Sequence, residues 1–413
     1  MNKFLLTLVL LCAGPAAAQE FATAGMRPVS MGGTYALALG RSEALAQQAE
    51  GAAQLDAAER QLASAFRPSF DFNASLSKQQ NADAATKGYF SGNYGLFSGM
   101  RDYVAAKAAS ARTGAARLDL ERARQQLYLS AAQAYLNLLA AQREVFIRAD
   151  QMAVTAKRIA ELEARADIGR SRRSEVISAR SRLAQDKADY LASLSGERLA
   201  QQALKFITGL SEDLTPAELP ARGAAELETY RELALRRPDL QARRREAEAS
   251  GYLAEIQERG QWPSVNLSAN YYVVRTPRPA PVNRWDAGAY LNVPLYTGGL
   301  LQGRKDYAYS AQRAARLALD LARRQALSDV NSAYEEYEYS VKQAESLADA
   351  LTLADENARL QQEDYKLGLV NNLDVLSALN TAQQTRLALS QARARNSLAL
   401  IKLETAAGAE LKP

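Results

Sequence analysis

The sequence predicts a mixed, mainly α fold in which long antiparallel coiled-coil helices are built as two internal structural repeats, each carrying one pair of β-strands. Three observations carry it. The chain of 413 residues repeats itself at a fixed offset. Two very long stretches read as unbroken helix, and a pair of alternating segments precedes each of them.

The repeat is the strongest signal. Leu96-Phe97-Ser98-Gly99 recurs as Leu295-Tyr296-Thr297-Gly298, and Ala115-Ala116-Arg117-Leu118 recurs identically as Ala314-Ala315-Arg316-Leu317. Tyr135 matches Tyr334, Gly169 matches Gly368 and Gly209 matches Gly408, each pair 199 positions apart. Upstream, Pro68-Ser69 matches Pro263-Ser264 at an offset of 195, so the second copy holds four extra residues between its Pro-Ser and its Leu-Tyr-Thr-Gly. The predicted organisation is a leader over 1–18, an N-terminal segment over 19–34, a first repeat over 35–209, a linker over 210–229, a second repeat over 230–408 and a tail over 409–413.

Each repeat opens with a helical segment, Tyr35 to Ala65 and Tyr230 to Gly260. A strand pair follows, over 69–97 and 264–296. Phe70, Phe72, Ala74 and Leu76 alternate with Asp71, Asn73 and Ser75; Val265, Leu267, Ala269, Tyr271 and Val273 alternate with Ser264, Asn266, Ser268 and Asn270. Trp285, Ala287, Ala289, Leu291 and Val293 form the return strand. Alternation over about ten residues matches a membrane-crossing strand, although one such hairpin alone would suit a half-buried sheet of a soluble protein. Polar or proline-rich loops are expected over Gln79 to Lys87 and Arg275 to Arg284.

A long helix comes next. Arg101 to Asp167 holds no proline and only Gly114, and at ~1.5 Å per residue would reach roughly 100 Å. Second helices are expected over Ser174 to Ile207 and Leu373 to Ala406, with turns at Gly169 and Gly368. Val330, Tyr334, Tyr337, Val341, Ala344, Ala348 and Leu351 step by four and three, the spacing of a coiled-coil seam.

Composition narrows the function classes. The chain has no histidine, and its one cysteine, Cys12, lies within the expected leader. Ser-His and Cys-His nucleophile pairs, imidazole metal sites and disulfides of the mature chain are thereby removed. No phosphate-cradling Gly-rich loop or Cys-x-x-Cys is present, no cofactor is expected, and an enzyme is disfavoured. The net charge of +5 is interleaved with acidic residues along helical stretches, which opposes a nucleic-acid partner. The apolar run Phe4 to Ala13, with Ala16-Ala17-Ala18 behind it, reads as a secretory leader cut after Ala18. No later run is long and apolar enough to be a membrane helix, so a membrane could be crossed only by strands. Four strands cannot close a barrel, so strands in lipid demand an oligomer.

With these pieces assembled, the chain resembles the TolC-like outer-membrane efflux protein family over nearly all of its mature length. The carrying residues are the Pro-Ser before each hairpin, Leu96-Phe97-Ser98-Gly99 and Leu295-Tyr296-Thr297-Gly298-Gly299, and the tip segments Ala166 to Ala179 and Tyr365 to Ala378. The resemblance implies a homotrimer in the outer membrane: a twelve-stranded β-barrel, four strands per chain, continued by a periplasmic helical barrel. It implies an exit duct of a tripartite efflux pump or type I secretion system, with a periplasmic adaptor and an inner-membrane transporter as partners. A periplasmic coiled-coil adaptor or scaffold is the alternative. It further implies a gate at Glu175, Tyr365 and Asp374, and adaptor docking at Gly169, Arg170, Arg172, Arg173, Gly368, Leu369 and Val370. The chain departs from the best-known member of the family at Val370 and Ser377, where that member has an arginine and a second acidic residue.

Overall fold

A computed structural model of the chain describes residues 26–409 except 79, 81–82, 221 and 277–282. The expected leader, 1–18, lies outside the described residues. The chain opens with β1 (Met26–Val29), then runs α1 (Met31–Arg41), α2 (Glu43–Ala63), β2 (Ser69–Ser77), β3 (Ala85–Phe97), α3 (Arg101–Asp167) and α4 (Arg173–Thr208). Then come β4 (Asp213–Pro216), α5 (Leu227–Ala234), α6 (Pro238–Glu258), β5 (Ser264–Thr276), β6 (Trp285–Asn292), α7 (Leu300–Leu367) and α8 (Asn372–Ala407).

The first helical segment of each repeat is broken. Ser42 ends α1 and its hydroxyl accepts the Leu45 N–H, a side-chain cap that starts α2. In the second repeat Pro238 occupies the first helical position of α6, where its missing N–H costs nothing. The stretch expected to be a bare linker holds β4, which pairs in parallel with β1: Met26 opposes Asp213 and Val29 opposes Pro216. The Tyr135 hydroxyl lies 2.7 Å from the Ala217 carbonyl and 3.1 Å from that of Val29, tying this small sheet to α3.

The other four strands form one antiparallel sheet in the order β2-β3-β5-β6. Strands reach into both expected loops, β3 from Ala85 and β5 as far as Thr276, while β6 stops at Asn292, before Pro294, which has no N–H to give a ladder. One face carries Phe70, Phe72, Leu76, Trp285 and Leu291, all exposed in the single chain. The other is polar. Asp71, Ser91, Asn270 and Asp286 stand opposite one another across all four strands. Asn73 Nδ2 donates to Ser91 Oγ at 2.8 Å and Asn270 Nδ2 to Asp286 Oδ1 at 2.9 Å. An apolar outer and a polar inner face is the division that a strand between lipid and an aqueous lumen requires.

Glycine turns feed the strands into the helices. Gly99 has φ 66°, and a Cβ there would stand 2.7 Å from that of Trp262, so this junction admits no side chain. From it α3 runs against α2 and α6 and then pairs with α4, as α7 pairs with α8. Buried alanines, among them Ala108, Ala111, Ala115, Ala242, Ala249 and Ala254, let α3 and α6 approach closely. The seven residues of the sequence-read seam on α7 are all buried or half-buried. The main core, around Tyr128, Tyr135, Leu138, Leu204, Leu214 and Ile401, joins the repeats where β1 and β4 lie.

Candidate functional site

At the far end of the helices two hairpin turns stand side by side. After α3, Gly169 has φ 72°, and Arg170 N donates to the Arg165 carbonyl at 2.8 Å; after α7, Gly368 has φ 80°, and Leu369 N donates to the Asp364 carbonyl at 3.0 Å. Both are left-handed helix ends, which is why glycine stands in both places. The re-entry differs between copies. Asn371 caps α8 reciprocally with Asp374: its Oδ1 accepts the N–H groups of Leu373 and Asp374, while Asp374 Oδ2 accepts the Asn371 N–H at 3.1 Å. The corresponding residue of α4, Arg172, provides no side-chain cap.

Tyr365 joins the two hairpins. It is 7% exposed, packed on Ile159, Leu162, Val176, Ala179 and Val375. Its hydroxyl donates to Glu175 Oε2 at 3.3 Å, and Ser171 Oγ donates to the same oxygen at 2.7 Å. The guanidinium carbons of Arg158 and Arg165 lie 4.1 and 4.9 Å from the ring centroid. Arg158 is itself 7% exposed; its Nε donates to the buried Asn372 Oδ1 at 3.0 Å and its Nη1 to Glu161 at 3.1 Å.

Of the residues singled out from sequence, Glu175 and Tyr365 are brought together, and Asp374 is exposed at the same end. Arg170, Arg172, Arg173 and Leu369 are exposed, as are both turn glycines, whereas Val370 is half-buried against the tip core. Arg158, Asn372 and Ser171 were missed, because an arginine or asparagine on a charged helix gives no sign of burial until a remote partner covers it. Asp186 was missed likewise. It is 1% exposed, accepting from Gln151 and Thr155, each at 2.7 Å, and from Arg182 at 2.9 Å. This buried polar node fixes the register of α3 against α4, since an unpaired carboxylate there would be costly. Among the described residues no metal-binding group of three or more His, Cys, Asp or Glu occurs.

A sheet with a lipid-facing and a polar face, drawn out into helical hairpins of about 100 Å, defines a class: a β-barrel channel protein of the outer membrane with a long helical extension into the periplasm. The family model described as "Outer membrane efflux protein" matches residues 229–409, the second repeat, of which the first is a copy. The second repeat thus matches the outer membrane efflux protein family, the family that the whole chain resembles. It is 24% identical over 338 residues to the outer membrane efflux protein BepC of Brucella suis, covering 80% of this chain and 74% of that one. It is 25% identical over 298 residues to the outer membrane protein TolC of Vibrio cholerae, covering 69% and 68%. The crystal structure of CusC, described in terms of transmembrane channel formation, shares the fold with a TM-score of 0.83 at 17% identity, over 92% of each chain.

Proposed function

We propose that three copies of this chain assemble into a passive exit duct across the outer membrane and periplasm, opened at its periplasmic tip by partner proteins. The observation that carries this reading is the open sheet. β2 and β6 each present an unpaired edge, which lipid does not tolerate. Pairing β6 of each copy with β2 of the next closes twelve strands, with the polar row Asp71-Ser91-Asn270-Asp286 continued around the lumen.

At the other end, Tyr365 and Glu175 act as the latch of the closed tip, and Asp374 faces the constriction as its acidic residue. The turns at Gly169 and Gly368, with Arg170, Arg172, Arg173, Leu369 and Val370, receive a periplasmic adaptor, which in turn couples the duct to an inner-membrane transporter. The exposed leucines Leu367, Leu369 and Leu373 beside three exposed arginines give such a partner both apolar and charged contact. Native mass spectrometry of the detergent-solubilised protein tests the assembly. A trimer is expected; a monomer, or a ring whose strands cannot close, overturns it.

A further inference from the structure

We propose that Arg158 is the positioning residue of the tip latch: from α3 it holds the Tyr365 ring and the start of α8 in the one arrangement that presents the Tyr365 hydroxyl to Glu175. This rests on the reading of Tyr365 and Glu175 as a latch, and adds a residue and a direction of action to it.

The geometry is specific. A guanidinium is planar, and its face and its edge can serve two partners at once. Here the Arg158 guanidinium stands 4.1 Å from the Tyr365 ring centroid while its Nε donates at 3.0 Å to Asn372 Oδ1. Tyr365 belongs to the last turn of α7 and Asn372 to the first of α8. One side chain of the first repeat therefore grips both sides of the second repeat's turn. The gripped groups are out of water, Arg158 and Tyr365 at 7% and Asn372 at 2% exposure. A cation over an aromatic face gains strength when desolvated in this way. The pairing with Glu161, whose carboxylate is half exposed, screens the charge without occupying the ring face or Nε.

The comparison between the two copies supports the assignment. At the offset of 199, Arg158 corresponds to Asn357, Tyr365 to Ala166, and Asn372 to Arg173. Every member of the clasp is thus a residue on which the copies differ, while the helices and turns that carry it are shared. A contact needed only to pack one coiled coil would be expected in both. This contact is made across the repeats, where the tip must part if it opens. Moving the α7–α8 turn away from α3 breaks the ring contact and the Asn372 hydrogen bond together, so Arg158 couples the hydroxyl latch to the position of the whole turn.

Single-channel recording of the purified, reconstituted protein tests this with Arg158→Met, Arg158→Lys, Asn372→Asp and the double variant Tyr365→Phe/Glu175→Ala. Arg158→Met should shift the closed-to-open ratio toward open by roughly fivefold, the size of one cation–π contact with its hydrogen bond. Arg158→Lys, which keeps the charge but loses the planar fork, should recover only part of that shift. Asn372→Asp converts the neutral bond to a charge-assisted one and should close the channel further, but only where Arg158 is present. A merely structural role for Arg158 would not produce that dependence. Arg158→Met combined with Tyr365→Phe/Glu175→Ala should open no more than the larger of the two alone. Unchanged gating in Arg158→Met, with opening in Tyr365→Phe/Glu175→Ala, overturns this inference and leaves the latch standing. Opening in Arg158→Met with none in Tyr365→Phe/Glu175→Ala overturns the claim that Arg158 acts through Tyr365. No change in either removes the latch as well. Native mass spectrometry of each variant confirms the assembly before recording, and Asn372→Asp tests the clasp even if Arg158→Met does not assemble.

Discussion

Arg41, the last residue of α1, donates its Nη1 hydrogen at 2.6 Å to the carbonyl of Gly209, the residue that ends α4, so the start of the first repeat clasps its end. The second repeat builds a corresponding clasp with Arg237, whose Nη1 donates to the Ala406 carbonyl at 3.0 Å while its Cγ lies against Gly408. Both arginines satisfy helix C-terminal carbonyls that no residue of the helix itself can reach. The second clasp is the richer. Arg237 also bonds Asp239 at 2.6 Å and Asp329 at 3.1 Å, and Arg122 donates at 2.7 Å to the Thr405 carbonyl.

Arg237→Ala should therefore destabilise the protein by roughly 2–3 kcal/mol, below the cost of breaking a fully buried pair because both carboxylates keep about a third of their exposure. Thermal unfolding of the detergent-solubilised protein measures it. A loss under about 0.5 kcal/mol, the level of an ordinary surface change, would mean that the clasp is incidental.

Asp239 gives this clasp a pH dependence. Burial alone would raise its carboxyl, but the hydrogen bond and charge of Arg237, with Arg122 and the Leu240 N–H behind them, outweigh burial and hold it below the usual carboxylate range. A depressed folded-state value favours the fold above the unfolded carboxylate value of about 4, and the contribution fades as pH falls from there through the folded value. Wild type should accordingly unfold at a higher temperature than Asp239→Asn at pH 7, with the gap shrinking below about pH 4. A gap that widens in acid would reverse the assignment.

At the tip, Tyr365→Phe combined with Glu175→Ala removes a charge-assisted hydrogen bond worth about 1–2 kcal/mol per subunit at a partly screened site. If the bond latches the hairpins as proposed, single-channel conductance should rise. Thermal unfolding separates latch from packing: the Tyr365 ring keeps its neighbours in this variant, so the unfolding temperature should fall by no more than the lost hydrogen bond accounts for.

Asp374 combines an observed cap with the proposed place at the constriction. Its carboxylate caps α8 through the Asn371 N–H, and as an exposed charge it would favour cations at a constriction. Asp374→Asn keeps an acceptor for the cap and removes the charge, so cation preference should weaken with stability retained. Asp374→Ala should weaken both, losing about 1 kcal/mol of cap per chain. Reversal potentials in a salt gradient, compared between the two variants, distinguish the roles. Unaltered selectivity in both would place the acidic constriction elsewhere.

Much of the architecture was legible because it is written in periodicities. Alternation marked β2, β5 and β6, with β3 expected only as the partner of β2; the absence of proline marked α3, and Gly169 and Gly368 marked turns that need a positive φ. The parallel pair of β1 and β4 was not legible. Each strand is only four residues long and Pro216 ends the second, so no alternation could develop. The clasps and the tip escaped for another reason. Arg158 and Asn372 are 214 residues apart, and nothing near either records that the other will cover it. The pair of Tyr365 and Glu175 came only through family resemblance, not through spacing.

If copies of this chain close a channel through a membrane, the purified protein reconstituted into planar lipid bilayers will conduct ions. Discrete, uniform conductance steps are expected from a species that native mass spectrometry reads as a trimer, with the steps enlarged by Tyr365→Phe/Glu175→Ala. A protein that assembles and inserts yet passes no ions, wild type and latch variant alike, would contradict it.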